Sequence, residues 1–515
     1  LMAMAIHALG SRAVSLTGAQ IGIKTDATHT KARIKSISTR RMQELLDAGN
    51  IVIAAGFQGI DEQYNITTLG RGGSDTTAVA LAAVLKAAAC EIYTDVDGVY
   101  TTDPRLLPEA RRVPRISYDE MLELASLGSG VMHNRSIEFG KKYGVAIHVR
   151  NSQSDAPGTM IVAEPESRDA AVCGAALTKD EARVSVLGVP DVPGTSFEIF
   201  SRIAGRNITV DMIAQDVGEG GKADISFTVP KNELTVTLEA VQDSLQALGG
   251  GSVVTDTNVA KVSVVGLGMA RQTGIAEKMF RTLADQAINI QMITTSEIKI
   301  SALVGRDHAQ QSLRAVHEAF ALETPPKPSK PDGADPQARA ANTDAADVVT
   351  RLQGIDMEEL FIDDIALDES QARVTIRGVP DTPGVAARVF EEVAAAGIFV
   401  DMIVQSYGGA EQASLSFTVP QARLQEALAV ANRTAQSLTC RGVTHAPRVA
   451  KLSVSGVGLR SHTGVAIRMF RALSEAGINL ELISTSEVRV NVLVDGAQGK
   501  QALACLQKAF SDVLR

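Results

Sequence analysis

The sequence predicts an α/β sandwich domain followed by four ferredoxin-like βαββαβ modules in two tandem pairs. Three observations carry this reading. Over residues 1–165, short β-branched runs alternate with helical stretches, the pattern of an α/β fold. Beyond residue 171 the chain repeats at a distance of 190 positions: Pro190-Asp191-Val192-Pro193-Gly194 returns as Pro380-Asp381-Thr382-Pro383-Gly384, and Thr295-Ser296-Glu297 as Thr485-Ser486-Glu487. Each repeat is itself double, with Gly194, Phe200 and Met212 matching Gly274, Phe280 and Met292 at a distance of 80. The expected division is an α/β domain over 1–165, a first module pair over 171–322, a Pro/Ala-rich linker over 323–350 and a second pair over 361–515.

Composition bounds the function. The 515 residues exceed what one core can organise, and the net charge of -9 offers no basic stripe for nucleic acid. No apolar run approaches a bilayer span and no secretory signal opens the chain, so a cytoplasmic location without a membrane partner is expected. The four cysteines, Cys90, Cys173, Cys440 and Cys505, share no CxxC spacing and argue against a disulfide framework or a zinc site. Leu1-Met2-Ala3-Met4-Ala5-Ile6 reads as mid-helix, which leads us to expect a fragment that starts inside its first domain.

In the first domain, a strand over Ala13–Leu16 and a helix near Ile37–Ala48 precede the apolar run Ile51–Ala55, expected to be buried on both faces. The run ends in Gly56-Phe57-Gln58-Gly59, where a ligand crevice would open. The turn Leu69-Gly70-Arg71-Gly72-Gly73-Ser74-Asp75 then leads into a helix over Thr76–Ala89. Glycines let backbone N–H groups approach an anion, a helix N-terminus adds unpaired donors, and Arg71 supplies a fork for one carboxylate. After a strand over Glu91–Thr94 comes a loop crowded with Thr94, Asp95, Tyr100, Thr101, Thr102, Asp103, Pro104 and Arg105. There Arg105 suits phosphate, Tyr100 a flat base, and an Asp a magnesium ion. Asp-Gly and Asp-Pro are equally ordinary turn dipeptides.

Each module reads strand (Val184–Leu187), helix (Ser196–Ala204), strand (Ile208–Ile213), then further strands and a helix. Val172–Ala176 corresponds to Ile362–Ala366 in the longer register, so each pair carries an extra leading strand, expected to be exchanged within the pair. Pro193-Gly194 opens a helix suited to an α-carboxylate, Asp191 or Asp211 suits an α-ammonium, and Glu297 and Glu487 suit a lysine side chain. A structural reading makes Asp191 and Asp381 turn residues and Gln215 and Gln405 sheet-edge polars.

The Arg71 turn followed by Thr94-Asp95-Val96-Asp97-Gly98-Val99-Tyr100 through Arg105 resembles the aspartate kinase family of the amino-acid kinase superfamily, and the four repeats resemble ACT domains. The resemblance implies an amino-acid kinase-like α/β sandwich transferring the ATP γ-phosphate to the β-carboxylate of L-aspartate. That is the first step toward lysine, threonine and methionine, with ATP and Mg2+ required. By the same resemblance Arg71, Gly72, Gly73 and Ser74 would bind aspartate, Arg71, Ser74 and Asp75 would form the catalytic set, and Thr94 through Arg105 would contact ATP. Effector sites for lysine, threonine or both would lie between paired modules. The first pair would contribute Asp191, Gly194, Asp211, Gln215, Asn289, Ser296 and Glu297, and the second Asp381, Asp401, Gln405, Asn479, Ser486 and Glu487. A homodimer through the ACT domains is expected. Two family stretches, a Lys-Phe-Gly-Gly loop and a Ser-x-Gly-Glu stretch, are absent from these 515 residues, and Gly130 stands where many members carry lysine. An amino-acid-binding regulatory protein with an inactive kinase remnant is the alternative.

Overall fold

The computed structural model describes residues 1–217, 220–327, 356–407, 412–459 and 464–514, so the expected linker lies outside the described residues from position 328 onward. The first domain runs α1 (Met2–Ala8), β1 (Ala13–Leu16), β2 (Ile23–Thr25), β3 (Ile34–Ile37), α2 (Arg40–Asp47), β4 (Ile51–Ala54), β5 (Gln58–Ile60), β6 (Ile66–Thr68) and α3 (Gly73–Leu85). It continues through β7 (Cys90–Thr94), β8 (Arg115–Ser117), α4 (Tyr118–Leu124), α5 (Asn134–Tyr143), β9 (Ile147–Asn151) and β10 (Thr159–Val162). Two four-stranded sheets, ordered β3-β2-β5-β6 and β7-β9-β10-β8, enclose a core with α3, α4 and α5 that includes Ile23, Leu69, Val79, Ile116, Ile137 and Ile147. Helix α3 buries Val79, Ala80 and Ala82, small side chains that let it lie close against α5. Ser117 and Glu120 close a reciprocal capping box at the start of α4.

One expectation fails here. Strand β4 is not buried on both faces: it pairs in parallel with β1 alone among the described residues, and Ile51 is 48% exposed. An apolar run signals a fully buried strand only where neighbours cover both faces. Helix α3 also starts and stops earlier than Thr76–Ala89, because Gly72 and Lys86, both left-handed, bracket it.

The second half begins with β11 (Gly174–Pro190), α6 (Thr195–Gly205), β12 (Asp211–Val217), β13 (Lys222–Pro230), α7 (Leu234–Leu248) and β14 (Ser252–Val265). It continues with α8 (Ile275–Asp285), β15 (Ile290–Thr295), β16 (Lys299–Gly305), α9 (Ala309–Ala319), β17 (Phe361–Pro380), α10 (Val385–Ala395), β18 (Ile403–Tyr407) and β19 (Gln412–Pro420). The last elements are α11 (Leu424–Ser437), β20 (Gly442–Val457), α12 (Gly464–Glu475), β21 (Leu482–Thr485), β22 (Arg489–Asp495) and α13 (Gly499–Ala509). Strand β12 starts at Asp211 rather than Ile208.

The leading strand is exchanged as expected. Gly174–Thr178, the first part of β11, pairs with Val265–Lys261 of the second module, while the rest of β11 pairs with β13 and with the first part of β14. Strand β17 does the same with β20. All twelve strands join one sheet, ordered β12-β13-β11-β14-β16-β15-β18-β19-β17-β20-β22-β21. Antiparallel pairing of β15 with β18 (Ile293↔Gln405, Thr294↔Val404) links the second module to the third. The terminal strands β12 and β21 lie against each other, so the four modules close on themselves around Met212, Met292, Met402 and Leu482.

Helices complete the packing. The second and third modules share one core, with Phe280 of α8 against Phe390 of α10 at 5.5 Å between ring centroids, and the first and fourth share another, with Phe200 and Phe470 at 6.0 Å. Phe280 is fully buried. Phe280→Ala is expected to destabilise the sensor half by about 3–5 kcal/mol, read as a shift of its transition in urea. A loss below about 1 kcal/mol would mean that this core can collapse around the cavity.

Candidate active site and effector crevices

The glycine-rich turn sits where the loop after β4 meets the start of α3. Leu69 N–H donates to the Phe57 carbonyl at 3.0 Å, and the Thr77 hydroxyl accepts from Phe57 N–H at 3.1 Å, tying the two loops together. Gly72 has φ +68°, and a Cβ there would lie 2.2 Å from His133 Cβ, so only glycine fits. Arg71 is exposed and has no ion-pair partner among the described residues, which leaves its guanidinium available. Ser74 is exposed, and Asp75, partly buried in the first turn of α3, has its carboxyl pushed up by desolvation. Burial, then the charges of Arg135 and Arg71, hold the His133 imidazole below its ordinary range, so a neutral ring packs against the turn.

Helix α3 runs away from this turn and β7 returns alongside it, bringing the Thr94–Arg105 loop back to the same end of the domain. Thr94 stands at the end of β7 and Asp95 is exposed beside it, with the Thr94 hydroxyl donating to Asp95 at 3.1 Å. Tyr100 is half-buried, bridging backbone-to-backbone with Arg112. Asp103 takes two N–H groups of Arg105, which holds its carboxyl below the usual range, while Pro104 and Arg105 stay exposed. Thr101 and Thr102 differ from expectation. Both are buried, and the Thr101 hydroxyl contacts His317 Nε2 at 3.0 Å and accepts from Arg111 N–H at 3.1 Å. The pair points inward, toward His317 and the Arg111 backbone, and supports the loop from beneath.

The effector candidates are grouped differently from the expectation. Asp191 does not meet Asn289 of its own tandem pair; it accepts from Asn479 Nδ2 at 2.7 Å, and Gln215 donates to the Leu480 carbonyl at 2.6 Å, beside the α6 start at Gly194. The equivalent contacts are Asn289 Nδ2 to Asp381 at 2.8 Å and Gln405 to the Ile290 carbonyl at 2.9 Å. Ser296 and Glu297 line a crevice of about 300 Å³ with Asp401, and Ser486 and Glu487 line one of about 110 Å³ with Asp211. The reason is topological: the long strands join modules of one tandem pair side by side, which leaves their helical faces to the other pair.

Several residues escaped the sequence reading. Lys261 pairs with Asp211 and, at 2.9 Å, with Glu181, and Lys451 pairs with Asp401. Burial works to lower the Lys261 ammonium, but Asp211 and Glu181 outweigh it and hold the group above the ordinary lysine range. A lysine inside the apolar strands Val259–Val265 and Val449–Ser455, at matching places in the repeat, was the available signal. Lys299 meets the fully buried Glu123 of α4 at 2.9 Å and has no sequence signal of this kind, since its repeat equivalent is Arg489. Arg489 instead pairs with Glu297. In the larger crevice, Ser296 Oγ and Gln371 Oε1 are buried without a hydrogen-bond partner among the described residues.

An open arginine beside a glycine-rich helix start, a second loop at the same end and four linked ferredoxin-like modules define an amino acid kinase joined to ACT sensors. The comparisons agree: residues 1–151 match the amino acid kinase family, and residues 182–245, 262–320, 374–434 and 452–510 match ACT domains. The chain is 50% identical to the aspartate kinase of Pseudomonas fluorescens over 327 residues, which is 63% of this chain and 79% of that one. Among solved structures, aspartate kinase from Synechocystis is similar over 99% of this chain and 84% of that chain, with a TM-score of 0.59 and 37% identity. E. coli aspartokinase III in complex with aspartate and ADP, in its R-state, is similar over 61% of this chain and 71% of that one (TM-score 0.51, 26% identity), and its T-state, in complex with lysine and aspartate, over the same shares (TM-score 0.50). The chain belongs to the aspartate kinase family.

If Arg71 clamps a carboxylate, a lysine cannot replace its fork. Arg71→Lys is expected to fall within about threefold of Arg71→Ala, both losing roughly a hundredfold in kcat/KM for aspartate. Near-normal kcat/KM in the lysine variant would remove Arg71 from substrate binding.

Proposed function

We propose that this chain transfers the γ-phosphoryl group of ATP to the β-carboxylate of L-aspartate, giving 4-phospho-L-aspartate, under feedback control by lysine, threonine or both. The observation that carries the reading is the exposed guanidinium of Arg71, without an ion-pair partner among the described residues, beside the exposed Ser74 in the first turn of α3. Arg71 holds the substrate α-carboxylate bidentately, Gly72 and Ser74 present N–H and hydroxyl groups, Gly73 shapes the turn with its N–H on the Gly70 carbonyl at 3.0 Å, and Asp75 faces the α-ammonium. A carboxylate nucleophile needs no strong base, so positioning and charge neutralisation dominate the rate. Thr94, Asp95, Tyr100 and Arg105 meet the nucleotide, with Thr101 and Thr102 beneath them. No cluster of three or more His, Cys, Asp or Glu suited to a metal occurs among the described residues. Mg2+ would be carried by the phosphates of ATP, with Asp95 of the Thr94–Arg105 loop in reach of its water shell, and would supply charge neutralisation there.

Lysine fits the larger crevice better than the smaller one. Glu297, 36% exposed at its side chain, and the unpartnered Ser296 Oγ and Gln371 Oε1 offer acceptors for an ammonium, while Asp401 and Lys451 suit the two ends of an amino acid. Threonine fits the polar clusters at Asp191 and Asp381, whose carboxylates already hold an amide N–H. A homodimer belongs to the proposal in a narrower form. The β15–β18 contact occupies within one chain the edge on which ACT modules pair, so a second copy would join elsewhere. No helix among the described residues is long and apolar enough to cross a membrane. The proposed location is the cytoplasm, where ATP and L-aspartate are both supplied.

ADP release in the presence of ATP, magnesium and L-aspartate tests the activity, with L-glutamate and a nucleoside monophosphate as competing acceptors. Turnover should require aspartate, and equal turnover with glutamate would overturn the substrate assignment. Asp191→Ala and Asp381→Ala should weaken inhibition while leaving uninhibited activity largely intact, because an effector acts only through its differential affinity for two states. If both variants and their combination keep the parental half-inhibitory concentration, these aspartates lie outside the effector sites.

A further inference from the structure

The start of α5 lies between the glycine-rich turn and the second tandem pair of sensors. On one side, the His133 ring packs against Gly72, and Arg135 donates to the Leu69 carbonyl, the last residue before Gly70, and to the Ala32 carbonyl at 2.9 Å. On the other side, two acids from distant sequence engage Asn134 and Arg135. Glu358 receives Arg135 Nη2 on both carboxylate oxygens, at 2.7 and 2.8 Å, and Glu487 receives Asn134 Nδ2 at 3.0 Å.

Neither contact is a surface accident. The side chains of Arg135 and Glu358 are only 14% and 10% exposed, and bonds to Ile34 hold Glu358 through its own N–H and carboxylate. Its neighbour Met357 is buried in the core of the first domain, and its carbonyl accepts from Lys142 and from the Tyr143 hydroxyl. Residues 357–358 therefore dock onto the kinase domain as an extension beside β3, three residues before β17 begins the second sensor pair. Glu487 is 4% exposed, its N–H donates to Glu123 at 2.9 Å, and it lines the smaller effector crevice with Asp211. Arg135 loses its buried counter-charge if Glu358 changes, and Asn134 loses an acceptor if Glu487 moves, so α5 feels both acids, Glu358 the more strongly.

We propose that Glu358 and Glu487 are positioning residues for the aspartate-binding turn: the segment that leads into the second sensor pair, through Glu358 and Arg135, and that pair itself, through Glu487 and Asn134, set the Gly70–Asp75 backbone. Glu358 holds the arginine that braces Leu69. Glu487 links the same helix start to a crevice that an amino acid can enter, so an effector ammonium that draws this carboxylate away releases Asn134. The inference rests on the reading that the turn binds aspartate.

Glu358→Gln and Glu487→Gln test it in the full chain, with Arg71→Ala as the control for the underlying reading. Amide hydrogen exchange should accelerate at Leu69–Asp75 in both glutamine variants while the β11–β14 ladder keeps its protection. KM for aspartate should rise roughly ten- to a hundredfold in Glu358→Gln and by a smaller factor in Glu487→Gln, with KM for ATP within about twofold of the parent. Unchanged exchange at the turn in Glu358→Gln overturns the proposal, as does an equal rise in both KM values or loss of protection throughout the chain. If Arg71→Ala leaves KM for aspartate unaltered, the substrate reading fails by itself. If Arg71→Ala raises it and Glu358→Gln does not, only the positioning role fails.

Discussion

The sensor half is governed by the need to cover strand edges. A single βαββαβ module ends in strands whose backbone N–H and C=O groups need partners, and leaving them open invites association. Here β11 and β17 are long enough to serve two modules each, β15 pairs with β18, and β12 and β21 meet. Duplication has thus placed in one chain the module contacts that separate chains would otherwise have to make. A tethered partner has a high effective concentration, so the contacts form without a second molecule.

Buried charge decides how this ring sits against the kinase domain. Lys299 and Glu123 meet at 2.9 Å with almost no exposure, and Glu487 is drawn into the same group through its backbone N–H. Such a pair gains little over an apolar core of the same volume, but breaking it is costly. It therefore specifies one docking geometry more than it stabilises the fold. His317 makes a second junction, beneath the loop that carries Arg105. The Thr94–Arg105 loop thus rests directly on a sensor side chain, and Glu487 reaches the α5 start that braces the glycine-rich turn, a suitable arrangement for coupling two sites through a shared equilibrium.

The two effector crevices are copies that have diverged. Asp211 with Lys261 and Asp401 with Lys451 keep the same pair in both. The glutamates do not: Glu297 meets Arg489 at the sensor surface, whereas Glu487 is buried against the kinase domain. The difference arises because Glu487 lies against Glu123 and Asn134 of the first domain, whereas Glu297 meets Arg489 of another module, so equivalent residues have unequal surroundings.

What the sequence determined by itself was local and periodic. The 190- and 80-residue repeats, the glycine-rich turn at Gly70–Asp75, the Thr94–Arg105 loop and the exchanged leading strand all follow from residue type and spacing, because turn conformation and strand alternation act over a few residues. Tertiary structure decided whatever depends on which surfaces meet. Asp191 faces Asn479 and not Asn289, Thr101 turns inward, and the apolar β4 keeps an open face, since neighbours far along the chain determine each outcome. Glu358 is the clearest case. Its sequence surroundings mark it only as an acid before a strand, and the 223 positions separating it from Arg135 carry no period that would announce the contact. A charge pair of that kind exists only once folding has brought both groups out of water together.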